Sequence, residues 1–270
     1  MNYRHAFHAG NFADVVKHVA LVRVLLHLRK KDTPFAVIDS HAGRGIYDLA
    51  SDEARRTGEA ANGIARLRGL KGPEALERYL TLVEESGGQM YPGSPLIAAK
   101  MLRPQDRLVA IEKHPEEAEI LGQVLSVFRK ARVEEGDGYA RLAAALPPAE
   151  RRGVVLMDPP FEAPEEFEAA AEAVKGAMRR FATGIYLIWY PVKSAQAARA
   201  FRGEVLASGI TSALNIEMGI EAAEDRLGRA GLLVLNPPFG FDSDMAEILG
   251  LFAPRLPGGR ADMEWVSGGP

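Results

Sequence analysis

Asp158-Pro159-Pro160-Phe161 follows the apolar run Val154-Val155-Leu156-Met157, so a carboxylate stands where a buried strand should end. That order of residue types suits one kind of chemistry, the activation of an exocyclic amine on an aromatic base, such as N6 of adenine. The lone pair of that nitrogen is delocalised into the ring, which makes it a poor nucleophile. A carboxylate accepting one amine hydrogen and a backbone carbonyl accepting the other draw the nitrogen toward tetrahedral geometry and free the pair. The prolines hold φ at about −65° and leave a carbonyl pointing into the site rather than into a helix. Phe161 is expected to offer a flat apolar face to the base, a contact typically worth about 1–3 kcal/mol. Asp158 is thus the candidate catalytic carboxylate, and Pro159, Pro160 and Phe161 are candidate contacts to the substrate base.

The elements that must position these groups are legible as short apolar runs alternating with longer helical patterns. Strands are expected over 35–39, 107–112, 131–133, 154–157, 184–190, 212–218 and 231–236. Helices are expected over 13–29, 94–101, 116–129, 141–146, 165–181 and 194–209, the first with Val15, Val16, Val19, Val22, Leu25 and Leu26 on one side. The stretch 46–92 reads as a polar, glycine-punctuated helical insertion between the first and second strands. Strands alternating with helices imply an α/β fold: a mostly parallel seven-stranded, Rossmann-like sheet with helices on both faces. No internal repeat or low-complexity linker interrupts the chain, so residues 1–270 read as one domain.

In an open parallel sheet, ligands bind at the carboxyl ends of the strands, near the switch in strand order. Asp39, Glu112, Asp137 and Asp158 all fall at such ends. The first turn, His41-Ala42-Gly43-Arg44-Gly45, carries glycines that let backbone approach a ligand closely. Glu112 is placed to accept both hydroxyls of a ribose. Asp137-Gly138 is placed to read an adenine, the carboxylate taking the amine and a backbone N–H the ring. A glycine turn, an acid, an Asp-Gly and an Asp-Pro-Pro-Phe on four successive strand ends describe a class I S-adenosylmethionine-dependent methyltransferase. Asn236-Pro237-Pro238-Phe239 is a rival for the catalytic motif, but it follows a later strand and an amide offers no charge. It reads as a strand-ending turn.

The 270 residues carry a formal net charge of −3, which argues against a uniformly basic nucleic-acid-binding surface. The charge is uneven, however. Arg4, Lys17, Arg23, Arg29, Lys30 and Lys31 precede residue 32 against the single acid Asp14, so residues 1–30 read as an RNA-contacting segment, with Arg4 and Lys17 candidate contacts. The absence of cysteine excludes a disulfide, a thiolate zinc site and a cysteine nucleophile. No apolar run is long enough to span a bilayer, and the N-terminus lacks the apolar core of a secretory signal. The expectation is a cytoplasmic enzyme with no membrane partner.

Taken with Tyr3-Arg4-His5-Ala6-Phe7-His8-Ala9-Gly10-Asn11-Phe12-Ala13-Asp14, Arg56-Thr57-Gly58-Glu59, Tyr91-Pro92-Gly93-Ser94-Pro95 and Trp189-Tyr190-Pro191, these motifs make the chain resemble one family over nearly its whole length. That family is the bacterial 23S rRNA (adenine(2030)-N6)-methyltransferases. The resemblance implies that His18, His41, Ser94, Glu112, Asp137, Gly138 and Asp158 line the methyl-donor pocket. It also implies that Tyr3 contacts the substrate adenosine and that Asp158 is catalytic. The donor would be S-adenosyl-L-methionine, leaving as S-adenosyl-L-homocysteine, with no metal. The partner implied is 23S ribosomal RNA, free or partly assembled, met by a monomer. Members often carry Tyr where this chain has Phe161; stacking survives that change, whereas a hydroxyl hydrogen bond does not. Two other readings share these residues: a DNA adenine-N6 methyltransferase, and a non-catalytic nucleic-acid-binding or competence-related protein.

Overall fold

Helix α1 (Phe12–Arg29), preceded by a 3₁₀ turn over His5–Phe7, is the first α-helix of the computed structural model, which describes residues 4–163, 165–207, 209–223 and 226–269. Asn11 caps it, its side-chain oxygen accepting the Asp14 N–H at 2.8 Å. The sequence suggests a helix buried on one side. Instead α1 is buried almost all round, including Asp14, Lys17, His18 and Arg23. It lies between the sheet and other helices, so its polar residues had to find partners inside the fold.

The strands are β1 (Ala36–Asp39), β2 (Ile46–Asp48), β3 (Met90–Pro92), β4 (Arg107–Glu112), β5 (Ala131–Glu135), β6 (Gly153–Met157), β7 (Ile185–Pro191), β8 (Ala213–Gly219), β9 (Arg229–Leu235) and β10 (Arg260–Ser267). The further helices are α2 (Asp52–Thr57), α3 (Glu74–Glu84), α4 (Ser94–Met101), α5 (Pro115–Leu125), α6 (Gly138–Ala145), α7 (Glu165–Arg180), α8 (Ala195–Leu206) and α9 (Phe241–Phe252).

Eight strands form the main sheet in the order β10-β8-β9-β7-β6-β1-β4-β5. Strands β5, β4, β1, β6 and β7 run parallel, while β9 is antiparallel to β7 and β8, and β10 is antiparallel to β8. This is the expected Rossmann-like methyltransferase arrangement with one strand more than the seven expected. The extra strand β10 alternates charged and apolar residues from Arg260 to Trp265, the period-2 pattern of a half-exposed edge. In residues 46–92, helices α2 and α3 and two short 3₁₀ turns are closed at their base by the antiparallel pair β2–β3. The expected all-helical stretch therefore carries a two-stranded clasp.

Each parallel strand serves two cores because its side chains alternate. Val37, Val154 and Leu156 face a core shared with α1, α3, α4 and α9, whereas Ile38, Val155 and Met157 face one shared with α6, α7 and α8. Both faces of the central strands are thereby covered. Polar residues are left to the strand ends, and the order reverses between β1 and β6, where Asp39 and Asp158 emerge.

Candidate active site

At that reversal lies a cleft, most of whose lining comes from five parts of the chain, with Arg4, His5, Tyr47 and Glu117 completing it. Lys17 and His18 come from α1, His41, Ala42 and Gly43 from the turn after β1, and Gly93 and Ser94 from the start of α4. Glu112, Lys113 and His114 come from the end of β4, and Asp158 and Pro160 from the turn after β6. The Glu112 carboxylate orders its rim, accepting the Gly43 N–H at 2.8 Å and the His114 N–H at 2.7 Å. Gly43 is required there: φ is 62°, and a Cβ would fall 2.2 Å from the Tyr47 hydroxyl.

Beneath the cleft, the Ser94 hydroxyl donates to Asp39 Oδ2 at 2.6 Å, while Asp39 Oδ1 is buried with no partner among the described residues. Burial pushes the Asp39 carboxyl up to about 7; the Ser94 hydrogen bond and Lys17 oppose that rise, and nearby Asp158 adds to it. His18 Nδ1 lies 2.8 Å from the Tyr91 hydroxyl, and burial pushes its imidazole down to about 3. His41, beside Ser40 Oγ at 2.9 Å, is pushed down by burial to about 4. Both rings are therefore neutral at physiological pH and place no positive charge in the cleft.

Asp158 is 15% exposed and forms part of the wall between this cleft and a second cavity. Its Oδ2 accepts from Lys17 Nζ, which also donates to Asp14 Oδ1 at 2.7 Å. Asp14 Oδ2 accepts in turn from the Gly10 N–H at 2.9 Å and lies 2.9 Å from His5 Nε2. Burial alone would lower the Lys17 ammonium, but Asp14 and Asp158 hold it above the ordinary lysine range. Burial would likewise raise the Asp14 carboxyl; the pull of His5 and Lys17 outweighs it and keeps Asp14 well below the carboxylate range. The second cavity continues past Pro160 to Phe161, Trp189, Pro191 and Lys193.

The family model described as ribosomal RNA large subunit methyltransferase D, RlmJ, matches residues 32–267. The chain belongs to that family. Ribosomal RNA large subunit methyltransferase J of Escherichia coli strain K12 is 41% identical over 276 residues, which cover 98% of this chain and 99% of that protein. Its namesake from Haemophilus influenzae is 40% identical, covering 99% of each. A crystal structure of a Legionella pneumophila protein superposes with a TM-score of 0.88 at 34% identity, covering 97% of this chain and 98% of that one.

The residues expected to line a donor pocket in this family divide into two sets. His18, His41, Ser94, Glu112 and Asp158 line the cleft directly. Asp137 and Gly138 stand behind it. Asp137 caps α6 through the Tyr139 and Ala140 N–H groups and accepts from Lys113 Nζ at 2.9 Å; that lysine hydrogen bond is the main cause holding its carboxyl low. Gly138 packs so closely that a Cβ would lie 2.0 Å from the Ser40 carbonyl oxygen.

Among the expected substrate contacts, Arg4 and Pro160 line the cleft, whereas Tyr3 lies outside the described residues. The side chains of three others are enclosed in the fold. Lys17 is 3% exposed and held between two carboxylates, so it is no surface contact for phosphate. Pro159 is buried and lines neither cavity. Phe161 is 3% exposed, with ring-centroid distances of 4.6 Å to Phe167, 5.9 Å to Trp189 and 6.3 Å to Phe201; it supports the cavity wall and is not an open stacking face. Asp14, His5 and Trp189 were not singled out from sequence as site residues. Asp14 carried a faint signal, as the one acid in a basic segment.

Proposed function

We propose that this chain methylates N6 of one adenine in 23S ribosomal RNA, adenine 2030 by family resemblance, with S-adenosylmethionine as donor. The observation that carries the reading is the place of Asp158, a carboxylate anchored by Lys17 on the wall between two cavities. The donor supplies a methyl group on a cationic sulfur. The cleft residues fit such a molecule: Glu112 suits a ribose diol, the unpartnered Asp39 Oδ1 a polar group, and neutral His18 and His41 do not repel a sulfonium. His41, Ser94, Asp137 and Gly138 shape the same pocket.

In this reading the adenine enters the second cavity and its amine approaches Asp158. Lys17 fixes one carboxylate oxygen, so the other is positioned to accept an amine hydrogen while a backbone carbonyl of the Asp-Pro-Pro turn accepts its mate. The carboxylate localises the nitrogen lone pair, offsets the charge that grows on N6 and receives the proton the nitrogen gives up. The protein's contribution is orientation and electrostatics. Trp189, half-buried on the cavity wall, takes the stacking role first assigned to Phe161. The base must leave its stack, which costs a few kcal/mol in a duplex and less in a loop, consistent with recognition of irregular or unpaired RNA.

The test is to supply radiolabelled donor with transcribed 23S RNA, a hairpin carrying the target adenine and a DNA oligonucleotide of matched sequence. N6-methyladenosine in the RNAs alone supports the reading. Label in DNA alone would favour a DNA methyltransferase, and donor binding without transfer to any of them a non-catalytic binder.

A further inference from the structure

The Asn-Pro-Pro-Phe motif left over from the catalytic reading sits at the other end of the molecule. Because β9 runs antiparallel to β7, its last residue Leu235 pairs with Tyr186 near the start of that strand, and Asn236 emerges at the sheet edge opposite Asp158. The turn is firmly built. Asn236 adopts φ of 53° and its side-chain amide donates to the Ala182 and Gly184 carbonyls at 2.9 and 2.7 Å. Arg23 Nη2 donates to the Phe239 carbonyl at 3.0 Å, and Arg23 is itself paired with Asp244. The product of this scaffolding is a phenyl ring 95% exposed to solvent.

The same end is positively charged. Helix α1 does not present the basic N-terminal residues as one surface; it divides them, with Arg4 and Lys17 at the catalytic end and Arg23, Arg29, Lys30 and Lys31 at the far end. Arg152 joins them by donating to the Leu28 and Thr33 carbonyls, and Arg103 by donating to those of Lys31 and Thr33. The local acids Asp244 and Asp106 are taken by Arg23 and Arg103, while exposed Asp32 and part-exposed Asp242, three residues beyond Phe239, form no ion pair among the described residues. Among the described residues, Arg29, Lys30, Lys31 and Arg152 form no ion pair. His27 registers the charge: partial burial lowers its imidazole, and Arg23, Lys30, Arg152 and Lys31 lower it further. One or two cations near a helix C-terminus are explained by its dipole. A cluster of this size at the same end of the sheet as a propped-out aromatic is not.

We propose that this end of the sheet is a second RNA-docking surface, on which Lys30, Lys31 and Arg152 hold backbone phosphates while an unpaired base stacks on Phe239. Cations beside an aromatic platform are the chemistry of single-stranded RNA recognition. The inference rests on the RNA-methyltransferase reading above and adds to it. A strand of five residues spans roughly 17 Å, so the RNA held here is a segment separate from the one entering the catalytic cavity.

The experiment compares full-length 23S transcript with a short hairpin carrying the target adenine, for wild type, Phe239→Ala and the double variant Lys30→Ala/Lys31→Ala. Both variants alter exposed side chains away from the donor cleft. Filter binding of the long transcript should weaken by about fivefold or more on loss of the stacking ring. The double variant should lower the slope of log affinity against log salt by about two. Methylation of the short hairpin should stay unchanged in both. Unchanged binding of the long transcript, or equal loss on both RNAs, overturns the proposal. Wild-type protein that methylates neither RNA counts against the activity proposed above, while the salt-dependent binding still decides this surface.

Discussion

Lys17 and Asp158, 141 positions apart, share a charge-assisted hydrogen bond at the point where the first cleft meets the second cavity. The ammonium is buried and bound on its other side to Asp14. A buried cation between two carboxylates leaves both anions stranded if it is removed. Lys17→Met should therefore cost about 3–5 kcal/mol in unfolding free energy, measured with urea, as well as most of the methyl transfer. A loss below about 1 kcal/mol, the range of a surface ion pair, would show that the pair is not structural.

Asp39 sets a pH dependence whose sign follows from its environment. An unfolded Asp titrates at about 3.9, whereas in the fold burial raises Asp39 to about 7. The folded state therefore holds a proton that the unfolded chain has lost. Its contribution to stability is full below about pH 4, falls as pH rises to about 7 and is level above that, a change on the order of 4 kcal/mol. Asp39→Asn should remove this decline. Ser94→Ala should extend it to higher pH, since the Ser94 hydroxyl favours the carboxylate. Denaturant unfolding at several pH values checks both; the same slope in wild type and Asp39→Asn refutes the assignment.

Gly138 starts α6 where a side chain has no room. A methyl group there meets the Ser40 carbonyl oxygen at 2.0 Å and His41 Cε1 at 2.9 Å. Gly138→Ala should cost about 1–3 kcal/mol and displace His41 in the cleft. Calorimetric titration with S-adenosylmethionine should show affinity reduced by about tenfold or more, a loss equivalent to roughly one charged hydrogen bond. Wild-type affinity would show that this packing does not shape the pocket.

Phe161 and Trp189 separate support from recognition. Phe161→Ala empties a buried site among Phe167, Trp189 and Phe201 and should destabilise by about 3–5 kcal/mol. Trp189→Ala should chiefly raise the KM for RNA, by a factor consistent with losing about 1–3 kcal/mol of stacking. The opposite pattern, stable Phe161→Ala protein with impaired RNA affinity, would restore the stacking role to Phe161.

Much of this was legible in the chain because apolar strands are local signals. The runs ending at Asp39, Glu112 and Asp158 place three acids on one sheet edge without any tertiary information. Strand β10 was missed although Arg260 to Trp265 alternates in the expected way, because its polar half resembles a tail. Burial of α1 was hidden for a different reason: Asp14 and Lys17 look like surface residues until Asp158 and His5 arrive from other parts of the chain to pair with them. The enclosure of Phe161 follows from its φ of 47° and the packing of α7 and α8, neither of which its neighbours in sequence disclose.

The central claim is that the Asp158 carboxylate activates the amine. Its most direct test is single-turnover methyl transfer to 23S RNA by Asp158→Asn and Asp158→Ala, with donor affinity measured in parallel. Both variants should bind S-adenosylmethionine yet transfer methyl slower by about 10²–10⁴-fold, the range expected for a lost catalytic carboxylate. Transfer at the wild-type rate by either variant would contradict the account.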